Sequence, residues 1–468
     1  MKKNSAGEIE KYKAQLVARG FAQIYGVNYY ETYAPVARLS SFRLILAVAN
    51  RNKWPVDSFD FDSAYLNSIL PENEVIYLEQ PAEYPKRDPK VWVFRLCKAL
   101  YGLKQGARSW YETLRKALEE EGFHRTEADH GVFVKRWADG RLLVLGVHVD
   151  DCMTTGSSQK LMDEFKGRMN KRYSLTDLGP CHWHLGIKIE RDLKEGTTAL
   201  SQTVYVDSIL ARFNFEDAKP TAIPIDPSRP LLKSQCPMKL AEIAKMKNVL
   251  YREAVGSLLY AAMGTRPDIA FATSTVAQFF ENSGHEHWEA VKKIFRYLKG
   301  TRDLKLVYGG KEEDLHGYVD ADGASQDHRR AISGYMFIVD GGAVSWSSKK
   351  QELVTLSTAE AEYVAATHAA KEAVWLRRLI GEMFSQLETP TILHGDNQSA
   401  IALAHGGQYH ARTKHIDIRY HFIRYIIEAG AIKLIYCPTG EQTADVLTKA
   451  LPSTKAKHFA VAMGLRTV

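Results

Sequence analysis

Leu142-Leu143-Val144-Leu145-Gly146-Val147-His148-Val149-Asp150-Asp151 is the stretch that decides how this chain reads. A short aliphatic and β-branched run reads as a buried strand, and the polar segment Cys152 to Ser158 after it reads as a turn and loop. Two adjacent carboxylates therefore stand at a strand tip. Their mutual repulsion calls for a compensating positive charge, most simply a divalent cation. The competing reading is a pair of solvated turn residues, because Asp is a common turn former. Only further strand-end carboxylates elsewhere can decide between the two.

One such carboxylate lies upstream, in Phe59-Asp60-Phe61-Asp62-Ser63-Ala64-Tyr65-Leu66-Asn67, where extended structure gives way to a turn. Asp60 facing Asp150 and Asp151 across a sheet makes three acidic groups, enough to hold two Mg²⁺ ions for in-line phosphoryl or nucleotidyl transfer. Asp62, where the chain is already turning, reads as a solvated or capping neighbour. Tyr65 taken alone reads as a core aromatic.

Around these stretches, residues 1 to about 175 alternate helical and extended patterns. Helices are expected at Ser41 to Asn50 and Ser109 to Glu121, and extended segments at Pro55 to Phe61 and Leu142 to Val149. From Tyr173 to about Gly310, Leu185-Gly186-Ile187-Lys188-Ile189 is strand-like, and Tyr251 to Met263 and His287 to Leu298 read as helices. The stretch from Pro220 to Pro237 holds five prolines and is expected to be an extended linker.

From about Leu315 the pattern gives three strands (Leu315 to Asp320, Ser333 to Val339, Ala343 to Trp346), the last two joined as a hairpin through Gly341-Gly342. A long helix at Ser357 to Ile380 follows, then a strand at Thr391 to His394, a helix at Asn397 to Ala404, a basic helix at His415 to Glu428 and a strand at Ala431 to Tyr436. Here too carboxylates fall at element ends. Asp320 closes the first strand, Glu362 lies near the start of the long helix, Asp396 sits where a strand meets a helix, and Asp445 begins the final helix. Four carboxylates from four elements can converge on two metals.

The bulk composition is that of a globular protein of several domains: 468 residues, 45% hydrophobic and 25% charged. The net charge of +7 is compatible with a nucleic-acid partner. The five cysteines are scattered and contain no C-x-x-C pair, so neither a disulfide framework nor a structural zinc site is indicated. In Cys181-His182-Trp183-His184 adjacent ligands on a strand would point to opposite faces, which speaks against a zinc site there. No apolar run approaches the ~20 residues that span a bilayer, so no membrane partner is expected, and the expected location is intracellular and cytoplasmic.

The Asp60 and Asp150-Asp151 stretches resemble two motifs of the reverse transcriptase of copia-type LTR retrotransposons. Three further blocks resemble the same family in the same order. They are Lys11 to Phe21 (KYKAQLVARGF), Glu31 to Arg38 (ETYAPVAR) and Leu100 to Tyr111 (LYGLKQGARSWY). The last segment resembles the ribonuclease H domain that follows this polymerase, through Gly317 to Asp322 (GYVDAD), Leu356 to Tyr363 (LSTAEAEY), Asp396 to Leu403 (DNQSAIAL), Lys414 to Arg419 (KHIDIR) and Ala444 to Lys449 (ADVLTK).

The resemblance implies a fold and a set of residues. The expected class is α/β and α+β multidomain: a right-hand polymerase (fingers, palm, thumb and connection), then a ribonuclease H-like mixed five-stranded sheet with helices. The expected bounds are 1–175 for shortened fingers and palm, 176–314 for primer grip, thumb and connection, 315–450 for ribonuclease H, and 451–468 for a C-terminal tail. Asp60, Asp150 and Asp151 match the polymerase metal triad, and Asp320, Glu362, Asp396 and Asp445 the ribonuclease H set. Tyr65 matches the aromatic that excludes a ribose 2′-hydroxyl. Gln105 and Gly106 match the motif along the incoming nucleotide and template, Lys13 and Arg19 are alternative triphosphate contacts, and Leu185-Gly186 resembles the primer grip. Glu362 is preferred to Glu360 because the two point ~200° apart on a helix, and Tyr363-Val364-Ala365-Ala366 resembles the small-residue helix after the family's catalytic Glu.

The basic residues His415, Arg419, His421 and Arg424 can form a contact face for an RNA/DNA hybrid or a solvated helix face. Gly323 stands where the family has Trp, and no His stands just before Gly440-Glu441-Gln442. The function implied is an RNA-directed DNA polymerase with ribonuclease H activity, using two Mg²⁺ per active site, with Mn²⁺ able to substitute. Its partners would be an RNA template, a DNA primer, the RNA/DNA hybrid, deoxynucleoside triphosphates and other Pol- or Gag-derived proteins, in a virus-like particle when the element is active. The alternative is a catalytically decayed retrotransposon fragment that folds and binds nucleic acid without polymerising.

Overall fold

The computed structural model describes residues 2–3, 9–11, 15–71, 74–81, 85–310, 314–322, 330–406 and 418–467. The chain forms two compact units, residues 1–37 with 57–179 and residues 38–56 with 180–468. The second is discontinuous, since helix α1 (Leu39–Arg51) belongs to it although it precedes most of the first unit. Phe42, Leu44, Ile45, Leu46, Ala47 and Ala49 of α1 are all buried, as expected of a helix apolar around most of its circumference.

The first unit is built on six strands: β1 (Val56–Phe61), β2 (His124–Arg125), β3 (Val132–Arg136), β4 (Leu142–His148), β5 (Asp151–Gly156) and β6 (Leu175–Pro180). They lie in the order β6-β1-β5-β4-β3-β2. Six consecutive residues of β4 are buried, because this inner strand is covered on both faces and has no polar side to show. Helix α2 (Gly106–Glu120) presents Trp110, Leu114, Ala117 and Leu118, an i, i+4, i+7, i+8 stripe, to a core that includes Phe59, Phe61, Phe133 and Leu145. Helix α3 (Gln159–Arg172) adds Phe165 to that core, and its N-cap Ser158 accepts from the Leu161 backbone N–H. The turn and loop expected after Asp151 is instead strand β5, in which Cys152, Met153, Thr154 and Thr155 are buried. Polarity misled there, because threonine is a good strand residue once its hydroxyl finds a carbonyl, as that of Thr154 does at Val144.

In the second unit, β7 (Trp183–His184), β8 (Ile187–Asp192), β9 (Thr197–Ser201) and β10 (Lys305–Tyr308) form an antiparallel sheet. Helices α4 (Thr203–Arg212), α5 (Tyr251–Gly264), α6 (Ala270–Ala277) and α7 (His285–Gly300) follow β9 and share a core around Leu258, Val276, Ile294 and Phe295. Leu185 and Gly186, expected in a strand, form the turn between β7 and β8, both with positive φ (48° and 73°). The prolines from 220 to 237 do not make a free linker. Thr221 N–H donates to Arg296 O, Lys293 pairs with Asp226 at 3.0 Å, and Ile225 is buried.

A second sheet holds β11 (His316–Asp322), β12 (Ile332–Val339), β13 (Gly342–Lys350), β14 (Thr391–Gly395) and β15 (Ile432–Tyr436), in the order β13-β12-β11-β14-β15. The first three are antiparallel, and β14 and β15 run parallel to β11, giving the expected mixed five-stranded sheet. The β12–β13 turn is Asp340-Gly341, one residue earlier than expected, with φ of 54° and 76°. Helix α8 (Thr358–Met383) packs on this sheet through Ala361, Ala365, Ala369 and Ala373, whose small side chains allow close approach. Helices α9 (Gln398–His405) and α10 (Phe422–Glu428) follow. The expected tail is in fact structured. Helix α11 (Ser453–Ala462) leads to β16 (Leu465–Arg466), which pairs with Lys305 and Leu306 of β10 and completes the first sheet as β7-β8-β9-β10-β16.

Candidate active sites

In the first unit β4 and β5 are joined by the two-residue turn Val149-Asp150, with His148 paired to Asp151. Val149 has φ of 63°, a left-handed conformation that a β-branched residue rarely adopts. Trp110 Nε1 donates to Val149 O at 2.7 Å and Phe61 N–H donates to Asp150 O at 3.2 Å, so α2 and β1 both hold the turn. Asp60 is the residue before Phe61 on β1, which places it against Asp150.

The electrostatics show the convergence. Burial pushes the Cys152 thiol well up, and the carboxylates of Asp151, Asp60 and Asp150 raise it further. Asp151 is exposed, yet partial desolvation of its carboxyl and then the Asp150 charge raise its pKa, with His148 opposing. The oxygens of these three carboxylates are not all within 4.8 Å of one another. Among the described residues that closeness belongs to Asp320, Asp396 and Asp445.

Tyr65 packs on Tyr101 at 4.5 Å between centroids, and both phenols are raised first by burial and then by the Asp150 charge. Tyr101, given no role in the sequence reading, thus belongs beside the carboxylates; its place five residues before Gly106 was the available signal. A Cβ on Gly106 would lie 3.3 Å from Leu100 O and 3.5 Å from the Tyr65 ring. Gln105, expected along the incoming nucleotide, is buried. Its amide accepts from Gln23 Nε2 at 3.0 Å and donates to Asn28 O at 2.9 Å and Glu74 Oε2 at 3.1 Å, so it knits the chain segments around the site.

Arg19 is exposed, whereas Lys13 lies outside the described residues. Asp62 accepts from Ser174 Oγ at 2.6 Å and Thr176 Oγ1 at 2.9 Å, a structural role. Leu185 and Gly186 belong to the second unit, where Tyr260 OH donates to Leu185 O at 2.5 Å.

In the second unit Asp320 is buried within β11, which runs two residues beyond it, rather than closing the strand. Asp396 follows β14 and accepts from Thr439 Oγ1 at 3.0 Å. Asp445, expected to open the final helix, is fully buried in a 3₁₀ turn, Thr443–Leu447, and α11 begins only at Ser453. Gln442 holds this turn to the sheet, donating to Val319 O at 3.0 Å and His394 O at 3.4 Å. Burial first, then the charges of Asp320 and Asp396, raise the pKa of Glu362. Burial also raises Asp320, with Lys449 and the Thr448 hydroxyl opposing. Glu360 instead caps its own helix, since Leu356 N–H donates to Glu360 Oε2 at 2.8 Å and Glu360 N–H to Ser357 Oγ at 3.2 Å. The structure therefore separates the two Glu candidates by what each side chain does.

Two lysines that the sequence reading did not single out enter this cluster. Lys449 Nζ lies 2.7 Å from Asp445 Oδ1 and 3.5 Å from Asp320 Oδ2, and Lys455 Nζ lies 2.5 Å from Asp445 Oδ2. The i, i+4 spacing of Asp445 and Lys449 was the legible clue. The basic face expected from His415 to Arg424 is only partly described. His415 falls outside the described residues, His421 Nδ1 bonds Tyr363 OH at 2.9 Å, and Arg424 Nε donates to Leu403 O at 3.0 Å. These two side chains are engaged within the fold rather than displayed to a ligand.

Carboxylate oxygens are the donors that hard divalent cations take. The close approach of Asp320, Asp396 and Asp445, with ammonium groups drawn to it, fits such an ion. At the first site the donor type fits as well, although its oxygens are more widely spread.

Comparisons with known proteins bear on the family of this chain. A family model described as Reverse transcriptase (RNA-dependent DNA polymerase) matches residues 1–227. The chain is 41% identical over 456 residues to the retrovirus-related Pol polyprotein from transposon TNT 1-94 of Nicotiana tabacum, covering 97% of this chain and 34% of that protein. It thus spans about a third of that relative's length. It is also 33% identical to a transposon Ty5-1 protein of Saccharomyces cerevisiae, over 67% of this chain and 99% of that protein. Among solved structures, RNase H1 from the archaeon Halobacterium salinarum aligns with 29% of this chain and 93% of its own, at 20% identity and a TM-score of 0.21.

Proposed function

The chain belongs to the reverse transcriptase family of copia-type retrotransposon Pol polyproteins, and on that premise we propose that it is an RNA-directed DNA polymerase joined to an RNA/DNA-hybrid ribonuclease H. The observation that supports this reading best is that each unit gathers carboxylates from separate elements: Asp60, Asp150 and Asp151 in the first, and Asp320, Glu362, Asp396 and Asp445 in the second.

In the first unit Asp60, Asp150 and Asp151 would hold Mg²⁺, with Mn²⁺ able to replace it. Tyr65, backed by Tyr101, would close the space beside the sugar, so that a 2′-hydroxyl meets a ring. Gly106 leaves room for that ring. Arg19 is an exposed cation available to a triphosphate. Gln105 would act through Gln23 and Asn28 by fixing the chain segments around the nucleotide.

In the second unit Asp320, Asp396 and Asp445, with Glu362 beside them, would hold the divalent cations of hybrid cleavage. Bound at either site, such ions would supply charge neutralisation and Lewis acidity. Thr439 and Thr448 orient the carboxylates of Asp396 and Asp320, and Gln442 holds the turn that carries Asp445 to the sheet. The RNA template, DNA primer, hybrid and deoxynucleoside triphosphates are the partners this reading entails.

Primer extension on poly(rA)/oligo(dT) with Mg²⁺ tests the polymerase. Wild-type chain should extend and Asp150→Asn should not; equal extension by both, or none by the wild type, rejects it. Hybrid cleavage lost in Asp396→Asn tests the second activity separately. A chain that binds the hybrid but performs neither reaction would be the decayed relic.

A further inference from the structure

The segment after Asp445 sends two ammonium groups back into its own carboxylate cluster. Lys449 reaches Asp445 Oδ1 at 2.7 Å and Asp320 Oδ2 at 3.5 Å, and so bridges carboxylates from two different elements. Lys455 takes the other oxygen, Asp445 Oδ2, at 2.5 Å and also donates to Thr439 O at 3.2 Å. Asp445 is fully buried and both its oxygens are engaged by lysine. The Lys449 side chain keeps about a third of its surface exposed (32%), so its ammonium can leave along its stem to water. Lys455 by contrast is tied to a backbone carbonyl on the far side.

Buried carboxylates held this close repel one another unless a positive charge stands between them. We propose that Lys449 is that charge in the metal-free protein: a resident counter-ion bridging Asp320 and Asp445, which a divalent cation displaces on binding and which thereby weakens the site's affinity. Lys449 is a positioning residue, acting through the carboxylates. The inference rests on the reading of this cluster as a divalent-cation site. It adds that the cluster is balanced without the metal and that metal uptake is an exchange of cations.

The test uses the full chain. Mg²⁺ binding by calorimetry and melting temperature in EDTA and in Mg²⁺ are compared for wild type, Lys449→Met, Lys449→Gln and Lys449→Arg. The site-specific part of each response is defined as what Asp396→Asn removes. Loss of the competing charge should tighten Mg²⁺ binding about tenfold in both uncharged variants. It should also lower their melting temperature in EDTA and enlarge the rise that Mg²⁺ produces, while Lys449→Arg behaves as wild type. Uncharged variants that bind Mg²⁺ as the wild type does, or lose the same stability in EDTA and in Mg²⁺, overturn the counter-ion role. A wild type with no response removable by Asp396→Asn overturns the cation reading itself. Should Lys449→Met fail to fold, Lys449→Gln carries the comparison.

Discussion

Trp110 Nε1 donates a 2.7 Å hydrogen bond to the carbonyl of Val149, so a helix residue fixes the turn that presents Asp150 and Asp151. Holding a β-branched residue at φ of 63° costs about 1–2 kcal/mol, and the turn keeps that shape because its surroundings impose it. Trp110→Phe keeps an aromatic ring and deletes the donor. It should lower unfolding stability by about 1–2 kcal/mol in urea titrations and reduce primer extension more than that loss explains. Full extension activity in this variant would detach the turn's geometry from catalysis.

Tyr65 and Tyr101 form a tilted ring pair beside Asp150. Replacing Tyr65 by Ala should open space beside the sugar and lower discrimination against ribonucleotides by about tenfold or more in steady-state incorporation assays. Tyr101→Ala, which only removes the backing of that ring, should show a smaller effect of the same sign. Unchanged discrimination in Tyr65→Ala would show that the ring does not bound the sugar site.

His287 supplies a pH dependence with a definite sign. Its Nδ1 accepts from Gly284 N–H at 2.8 Å, so Nε2 bears the proton and faces Leu232 O at 3.2 Å. The ring also stacks on Phe279 at 3.7 Å. Burial lowers its pKa, with the Leu232 carbonyl and Glu286 opposing. The folded value lies below the unfolded one of about 6.5, so the stabilisation is complete above that pH and is lost as pH falls through the folded value. Urea unfolding of the wild type should therefore steepen in its loss of stability below about pH 6.5, and His287→Gln should flatten that slope. Parallel profiles would contradict the assignment.

Arg43 ties helix α1 to the rest of the second unit. Its guanidinium donates to Val344 O at 2.8 Å, Met263 O at 2.7 Å and Gly264 O at 2.9 Å, and it lies 3.9 Å from the Trp346 ring. Burial lowers its pKa to about 10, partly offset by Tyr308 and Glu372. Arg43→Met leaves those carbonyls without their donor and should destabilise the chain by about 3 kcal/mol, read as a lower melting temperature. A fragment of residues 315–468 lacks both this tie and β10, the partner of β16, and should show no cooperative melt of its own. A sharp transition in that fragment would refute the dependence.

The parts of this fold that could be read from sequence are those whose causes are local. The α1 helix, the β4 run and the α8 helix announce themselves by apolar period and length. The parts that could not be read depend on distant partners. Strand β5 looks like a loop until β1 and β4 cover its threonines. The prolines near Asp226 look like a linker until Lys293 and Arg296 hold them, and residues past 450 look like a tail until Leu465 meets Leu306. At the sites, the acidic residues were legible by type and order. The lysines that balance them and the glutamine that braces the nucleotide motif were not, because a charge or an amide shows its partner only in three dimensions.

The larger part of the first unit, residues 57–179, is in chain terms an insertion into the second, between α1 and everything that follows. Its entry and exit strands, β1 and β6, are neighbours in one sheet, and at their outer ends Cys181 N–H donates to Val56 O at 2.9 Å. Folding of the insertion thus brings together the two pieces of the host. Closing a disordered loop of that length would cost on the order of 4 kcal/mol in chain entropy, a cost that a folded insertion with adjacent ends does not impose on the host. Arg43 can then find Val344, 301 positions away, as though the two were near neighbours in the chain. The connectivity thus lets a long intervening segment cost the host little in chain entropy.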